Sequence, residues 1–313
     1  MIEATALTRR FGAVVAVREA TFRAERGEVL GVLGPNGAGK TTTLRLVCGY
    51  LRPTSGSARV AGVDVAERPL EARRAIGYLP ETNPLYPEMR VNEYLEFRAA
   101  LKGRRKDRIA AAARAIDRCG LGDAAEQVIG TLSKGFRQRV GIADAIVADP
   151  PVLVLDEPTG GLDPLQAREA RALVRELADE RTILFSSHQL HEVEQVADRV
   201  VIFRAGAIVA CGATAELRRG LAAPTTIEIP ARERGRLAEL LLGLGRAAAE
   251  RDLGDEWISV DVAADGDPRA AIFERAAALR LPLRELTRRS PGLEEVFAQV
   301  AGDAPADDGG TRP

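Results

Sequence analysis

The sequence predicts a layered α/β domain, interrupted by a helical subdomain and followed by a smaller α/β module. Three observations carry that expectation. Residues 29–33 and 152–155 are short, continuous apolar runs, and such runs read as parallel strands buried on both faces. Between them, residues 91–119 shift towards Ala, Arg, Leu and Glu, all tolerated or favoured in helices. After Ala222-Ala223-Pro224 a strand and helix pattern restarts, which argues for a second module.

Taken in order, residues 2–8 and 20–23 predict early strands, separated by a Phe11-Gly12 turn and the branched run 14–17. Residues 29–33 form a strand that ends at Gly34, and residues 40–48 a helix burying Leu44, Val47 and Cys48. A turn falls at 53–56, with strands at 58–60 and 76–79. Gly103 separates two helices within 91–119, and Ser133 is placed to cap a third that reaches Val147. Residues 152–155 give a central strand with Asp156 and Glu157 at its C-terminal end. A helix at 165–177, a strand at 182–186, a short helix at 191–197 and a hairpin over 200–203 and 207–210 complete a domain spanning 1–220. Its helical subdomain covers about 88–148. The second domain, 221–300, is expected to hold strands at 226–229, 257–262 and 283–287 and helices at 232–242 and 267–279. A final helix opens at Ser290-Pro291 and runs to Val300. Residues 301–313 lack a packing face and read as a disordered tail.

Composition narrows the function classes. With 313 residues, the chain exceeds what a single core comfortably fills. Lys and Arg total 44 against 45 Asp and Glu, a formal charge of -1, so no general attraction to nucleic acid or an anionic membrane is expected. The basic stretch 102–108 reads as a solvated connection between helices. The 3 cysteines, Cys48, Cys119 and Cys211, are too far apart in sequence for a metal motif or disulfide framework, which suits a reducing cytoplasm. No leader-like segment opens the chain, and no run approaches the roughly 18 apolar residues of a spanning helix. Membrane association is therefore expected only through a partner.

The chemistry concentrates in Gly34-Pro35-Asn36-Gly37-Ala38-Gly39-Lys40-Thr41, a complete phosphate-loop motif between strand and helix. Its glycines let backbone N–H groups converge on a β-phosphate, Lys40 reaches the β- and γ-phosphates, and the Thr41 hydroxyl ligates Mg2+. Thr42 follows in the same anion-facing first turn of the helix. Asp156 is expected to bind Mg2+ directly or through water. Glu157 is expected to orient and deprotonate an attacking water.

With those residues in place, the chain resembles the ATPases of ABC transporters. Leu132-Ser133-Lys134-Gly135-Phe136, followed by Arg137-Gln138-Arg139, looks like their signature sequence and lies in the expected order between the phosphate loop and Asp156. The resemblance covers about residues 2–220 and implies an ABC-type P-loop NTPase fold. It assigns adenine stacking to Phe11, the permease-facing loop to Glu81, the dimer contact to Gly161-Leu162-Asp163, and a switch role to His188. It further implies a homodimer that binds two ATP molecules, each between Lys40 of one copy and Ser133 and Gly135 of the other. Physical chemistry agrees with these placements: Phe11 offers a flat apolar face, and Ser133 and Gly135 stand at a helix start suited to a γ-phosphate. His188 fits positioning of phosphate, water and Glu157 rather than general-base work. His191 reads as a surface residue.

Three positions depart from the family's pattern. Lys134 stands for a glycine, and either adds charge near the opposite nucleotide or faces solvent. Phe136 stands for a glutamine and removes a polar ribose contact. Glu81 replaces a glutamine, keeps an oxygen for Mg2+ or its water, and adds negative charge beside ATP. The closest resemblance is to ATPases serving ABC-2-type exporters in drug resistance or gliding motility. It implies an ATP-hydrolysing subunit held at the inner face of the cell membrane by separate permease subunits. The competing class is an ABC-type ATPase acting on ribosomes or nucleic acid, which usually carries two cassettes or a long coiled-coil insertion. A non-catalytic nucleotide-binding scaffold is disfavoured by Lys40, Asp156, Glu157 and His188 together. The second domain reads as regulatory, dimer-stabilising or simply accessory, with Trp257 in a core or interface.

Overall fold

The computed structural model of the chain describes residues 1–219, 225–264 and 266–288. It divides into two compact units, Met1–Thr214 and a second that begins at Ala215. The first unit opens on a long hairpin, β1 (Ile2–Phe11) and β2 (Val14–Ala24). The branched run 14–17 therefore belongs to a strand, not to the connection. Phe11 pairs with Val14 across Gly12, whose φ of 58° makes the tight reversal. β3 (Val29–Leu33) passes through the glycine-rich turn into α1 (Lys40–Val47). Next come β4 (Ser55–Val60), the short β5 (Val63–Asp64) and α2 (Pro69–Arg74), then β6 (Ile76–Leu79). The helical subdomain follows as α3 (Val91–Leu101), α4 (Arg108–Arg118) and α5 (Lys134–Ile146). The unit closes with β7 (Val152–Asp156), α6 (Pro164–Ala178), β8 (Thr182–Ser187), α7 (Leu190–Val196), β9 (Arg199–Arg204) and β10 (Ala207–Ala213). α8 (Thr214–Arg219) begins at the boundary between the units.

The main sheet runs β10-β9-β3-β8-β7-β6. All neighbours in it are parallel except the edge pair β9 and β10. Every residue of β3, β7 and β8 is buried, which explains why their sequences show no alternation. An antiparallel sheet, β2-β1-β4-β5, joins this one through a shared core that includes Ile2, Leu7, Phe22, Leu44, Val154 and Phe203. Each such side chain contributes about 1.5–3 kcal/mol on burial. The helical subdomain is seated directly on the main sheet. A Cβ at Gly77 of β6 would stand 2.1 Å from the Ala145 carbonyl oxygen of α5, so only glycine admits that approach.

Parallel register decides where function can sit. Leu33 of β3 pairs with Ser187 of β8, and Asp156 of β7 with Ser186. The C-terminal ends of the three central strands therefore meet at one edge, the place where open α/β sheets bind ligands. One reading of the basic stretch needs correction. Lys102 is not merely solvated: its ammonium lies 2.9 Å from the Asp144 carboxylate, which also holds the Arg98 guanidinium at 2.8 Å. Burial lowers the Lys102 pKa, partly opposed by Asp144.

The second unit is an antiparallel sheet backed by helices. β11 (Thr225–Pro230) leads through a 3-10 turn into α9 (Leu237–Leu241), followed by β12 (Arg246–Asp252), β13 (Trp257–Ala263), α10 (Arg269–Ala278) and β14 (Glu285–Arg288). Strand order is β12-β13-β11-β14. Alternate residues Ile227, Ile229, Ile258, Val260 and Val262 face Leu240 and Ile272 of the helices. Trp257 is half-buried beneath the Arg284 guanidinium, 5.0 Å from the ring centre. The connection at 222–224, the helix expected after Ser290 and the tail 301–313 lie outside the described residues.

Candidate nucleotide site

The phosphate loop is held in shape by backbone pressed against it. Gly39 has a φ of 102°, and a Cβ there would come within 2.5 Å of the Ala16 carbonyl oxygen in β2. Ala16 belongs to the hairpin that carries Phe11, so the loop and that hairpin are in contact. Ala38 is buried, and its carbonyl accepts the Gly206 N–H at 3.1 Å. Lys40 is only 7% exposed. Its ammonium donates to the Gly34 carbonyl at 2.7 Å and the Pro35 carbonyl at 3.3 Å, and lies 3.7 Å from Glu157 Oε1. Thr42 occupies the same first turn, half-buried.

Asp156, at the end of β7, is fully buried. Its Oδ1 accepts the Ser186 hydroxyl at 2.7 Å and the Thr41 hydroxyl at 3.3 Å, whereas Oδ2 has no hydrogen-bond partner. Burial raises its pKa; the hydroxyl bonds from Ser186 and Thr41 oppose the shift, and the nearby Glu81 charge adds to it. A buried anionic oxygen without a partner is costly, and it is the donor a hard divalent cation takes. The residues present therefore fit Mg2+, with Thr41 and Asp156 to hold it and exposed Glu81 nearby.

The backbone turns sharply at Glu157, whose φ is 52°. That conformation is uncommon outside glycine, and two bonds hold it: the Glu157 N–H donates to Ser186 Oγ at 2.9 Å, and its carbonyl accepts the Gly160 N–H at 3.0 Å. The turn aims the carboxylate back over the strand ends, where Oε2 lies 2.8 Å from His188 Nδ1. Lys40, Thr41, Asp156, Glu157 and His188 are thus brought together, beside a cavity of about 680 Å3 whose lining includes Asn36, Glu81, Glu157 and His188.

Other expected residues stand apart. Ser133 caps α5 by accepting the Phe136 N–H at 3.3 Å, and with Gly135 it lines a separate cavity of about 90 Å3 beside Leu162 and Gln166. This pair does not line the cavity beside Glu157 and His188 of the same chain. Lys134 does reach that cavity, its ammonium within 2.1 Å of where a Cβ on Gly161 would stand. Phe11 is 45% exposed, with the Arg9 guanidinium 4.5 Å from its ring centre. His191 is exposed, as expected. Two residues escaped the sequence reading. Ser186 donates to the Asp156 carboxylate at the end of β7 and accepts the N–H of Glu157 just beyond it; its signal is a pair of serines ending a mostly apolar strand. Asn83 donates to the Arg137 carbonyl at 2.9 Å and so ties the loop after β6 to α5; no spacing rule marks it.

A glycine-rich loop from a central parallel strand into a helix, with an acidic strand end beside it, defines a P-loop nucleotide-binding protein. The family model described as ABC transporter matches residues 17–160. The uncharacterized ABC transporter ATP-binding protein YxlF of Bacillus subtilis is 40% identical over 70% of this chain and 73% of its own length. The daunorubicin/doxorubicin resistance ATP-binding protein DrrA of Streptomyces peucetius is 36% identical over 99% of this chain and 94% of its own. A solved ATP-binding subunit of an ABC transporter superposes with a TM-score of 0.63 at 31% identity, covering 70% of this chain and 92% of that one. The chain belongs to the ABC transporter family of ATP-binding proteins.

Proposed function

We propose that the chain hydrolyses ATP with Mg2+ and couples hydrolysis to a separate membrane permease, in the direction of export. The observation that carries the hydrolytic part is the 2.8 Å contact between Glu157 and His188 beside Lys40 and Asp156. On binding, the phosphates draw Lys40 away from the Gly34 and Pro35 carbonyls, and the loop N–H groups and α1 N-terminus take the anionic oxygens. Thr41 and Asp156 would hold Mg2+, with Glu81 as a further oxygen, and the ion would supply neutralisation of the charge that develops on the phosphate oxygens. Phe11 stacks the adenine. Glu157 accepts hydrogen bonding from the attacking water and takes its proton, while His188 keeps Glu157 and the γ-phosphate in line.

The separation of Ser133 and Gly135 from Lys40 favours a site completed by a second copy, whose Ser133 and Gly135 close over the γ-phosphate. Lys134 adds a positive charge at the cavity wall, and Phe136 leaves the ribose without a polar partner there. Glu81 alters how cation binding responds to the permease, because its carboxylate acts on Asp156 across the site.

Docking is assigned to the face formed by the helical subdomain and the loop after Glu81. Between α3 of that face and the neighbouring α2 lies a cavity of about 430 Å3 lined by Tyr50, Leu70, Arg73, Tyr78, Arg98 and Leu101. Leu70, Leu101 and Tyr50 are 70%, 63% and 59% exposed, an apolar cluster suited to a partner. Export, and kinship with ABC-2-type systems, draw support from relatives named for daunorubicin/doxorubicin and linearmycin resistance. No helix among the described residues is long and apolar enough to cross a membrane; attachment through the permease belongs to the proposal. Residues 1–220 serve as the motor domain and 221–300 as an accessory or regulatory one.

Two measurements test this reading. Mg2+-dependent ATP turnover should be present in the parent and nearly absent in Glu157→Gln; equal turnover would overturn the hydrolytic assignment. Leu101→Glu should retain ATP turnover but fail to co-purify with the membrane subunits encoded beside the gene; unchanged co-purification would remove the assigned docking face.

A further inference from the structure

Glu192 is a buried acid with no part in the chemistry above. It lies in α7 with 4% of its surface exposed, and both carboxylate oxygens are engaged. Oε2 accepts the hydroxyls of Thr159 at 2.6 Å and Ser187 at 2.8 Å. Oε1 stands 3.4 Å from the Arg171 guanidinium of α6, itself largely buried. The two hydroxyls come from different elements: Thr159 lies in the turn after β7, and Ser187 is the last residue of β8. Thr159 is two residues beyond Glu157, and Ser187 immediately precedes His188. Ser187 Oγ also accepts the Gln189 N–H at 3.0 Å, which leaves its single proton for Glu192.

An ionised carboxylate suits this place because it only accepts, and one oxygen can take two hydroxyl donors at once. Charge-assisted hydrogen bonds of this kind are shorter and stronger than neutral ones. Burying the charge is expensive unless it is paired, and Arg171 supplies that pairing. Packing alone would be served at lower cost by an apolar side chain of similar size. What the carboxylate adds is a fixed distance between two loops.

We infer that Glu192 is a positioning residue for hydrolysis: it ties the loop carrying Glu157 to the loop carrying His188, and thereby fixes their 2.8 Å contact. It does not line the cavity beside Glu157 and His188. Its effect passes through Thr159 on one side and Ser187 on the other, while Ser186 performs a related task for the backbone of Glu157. Displacing either member of an aligned pair by about 1 Å costs up to about 100-fold in rate without weakening substrate binding. The signature of Glu192 is therefore in turnover rather than affinity.

This inference rests on the assignment of Glu157 and His188 as the hydrolytic pair, so the test carries its own control. Single-turnover hydrolysis of radiolabelled ATP is measured with the full-length chain in excess, alongside affinity for a fluorescent ATP analogue and thermal stability. Glu192→Ala should hydrolyse bound ATP about 10- to 100-fold more slowly, with affinity within about twofold of the parent. Glu192→Gln keeps an amide oxygen for both hydroxyls and should recover most of that rate. Thr159→Val, which preserves shape and removes one hydroxyl, should be slowed in the same direction, and it decides the matter if Glu192→Ala does not fold. A parental rate in Thr159→Val or Glu192→Ala would overturn the inference. So would an equal loss in Glu192→Gln and Glu192→Ala accompanied by parallel falls in affinity and melting temperature, the pattern of a purely structural role. Glu157→Gln separates the two levels. If it is inert while Glu192→Ala is unaffected, only the positioning role falls; if it hydrolyses normally, the pair and its positioning residue fall together.

Discussion

Replacing Asp156 by Asn removes a charge from a position with no solvent exposure, where one carboxylate oxygen lacks any hydrogen-bond partner. The amide retains an oxygen for Ser186 and Thr41, so the perturbation is chiefly electrostatic. Relief of a buried, half-satisfied charge is worth roughly 1–2 kcal/mol, equivalent to about 2–8 °C in melting temperature for a unit of this size. The sign with pH follows from the raised pKa of Asp156, caused first by burial. In the folded chain the carboxyl holds its proton to higher pH than in the unfolded chain. Stability from this group is therefore complete below the ordinary carboxylate pKa and is lost as pH rises through the raised folded value. Thermal unfolding without nucleotide or divalent cation should show Asp156→Asn more stable than the parent at neutral pH, with the gap closing towards pH 4. Adding Mg2+ with a non-hydrolysable ATP analogue should stabilise the parent far more than the variant. A variant no more stable than the parent at neutral pH, or a gap independent of pH, would refute the reasoning.

Further outcomes follow from the same geometry. Phe11→Ala should weaken ATP binding about tenfold by calorimetry, since stacking a base on an aromatic ring is worth about 1–3 kcal/mol. Ser186→Ala should cost about 1–3 kcal/mol by leaving the Glu157 N–H without its acceptor, and should shift the Mg2+ dependence of turnover to higher concentration. Gly39→Ala should destabilise by about 1–3 kcal/mol or more, because a φ of 102° and the Ala16 carbonyl both exclude a Cβ; unfolding and ATP-binding curves measure it. Glu81→Gln should change the Mg2+ dependence of turnover differently with and without the permease, and an identical dependence in both settings would remove the coupling assigned to Glu81.

Legibility in the sequence followed burial. β3 and β7 were readable because both faces are covered and the apolar run is unbroken. Ser133 was readable as a cap because its hydroxyl and the helix start are local to one another. β12 is illegible for the opposite reason: Arg-Ala-Ala-Ala-Glu-Arg-Asp is exposed along its whole length, so no periodicity betrays an edge strand held by backbone pairing with β13 and by ion pairs such as Arg251 to Asp261. The run 14–17 does not read as part of β2 because its exposed Val14 and partly buried neighbours show no clean alternation. At the site, the phosphate loop was legible as a contiguous motif. Ser186 and Asn83 were not, since each acts on residues distant in sequence, through partners that only parallel strand register or helix packing brings near. The distance of Ser133 and Gly135 from Lys40 likewise depends on how the helical subdomain sits on β6.

The most direct test of a shared site is sedimentation velocity of Glu157→Gln with and without ATP and Mg2+. A shared site requires a monomer without nucleotide and a stable dimer holding two ATP molecules at saturation, weakened when Ser133 is also replaced by a bulky residue. A chain that binds ATP at saturation yet sediments as a monomer would contradict it.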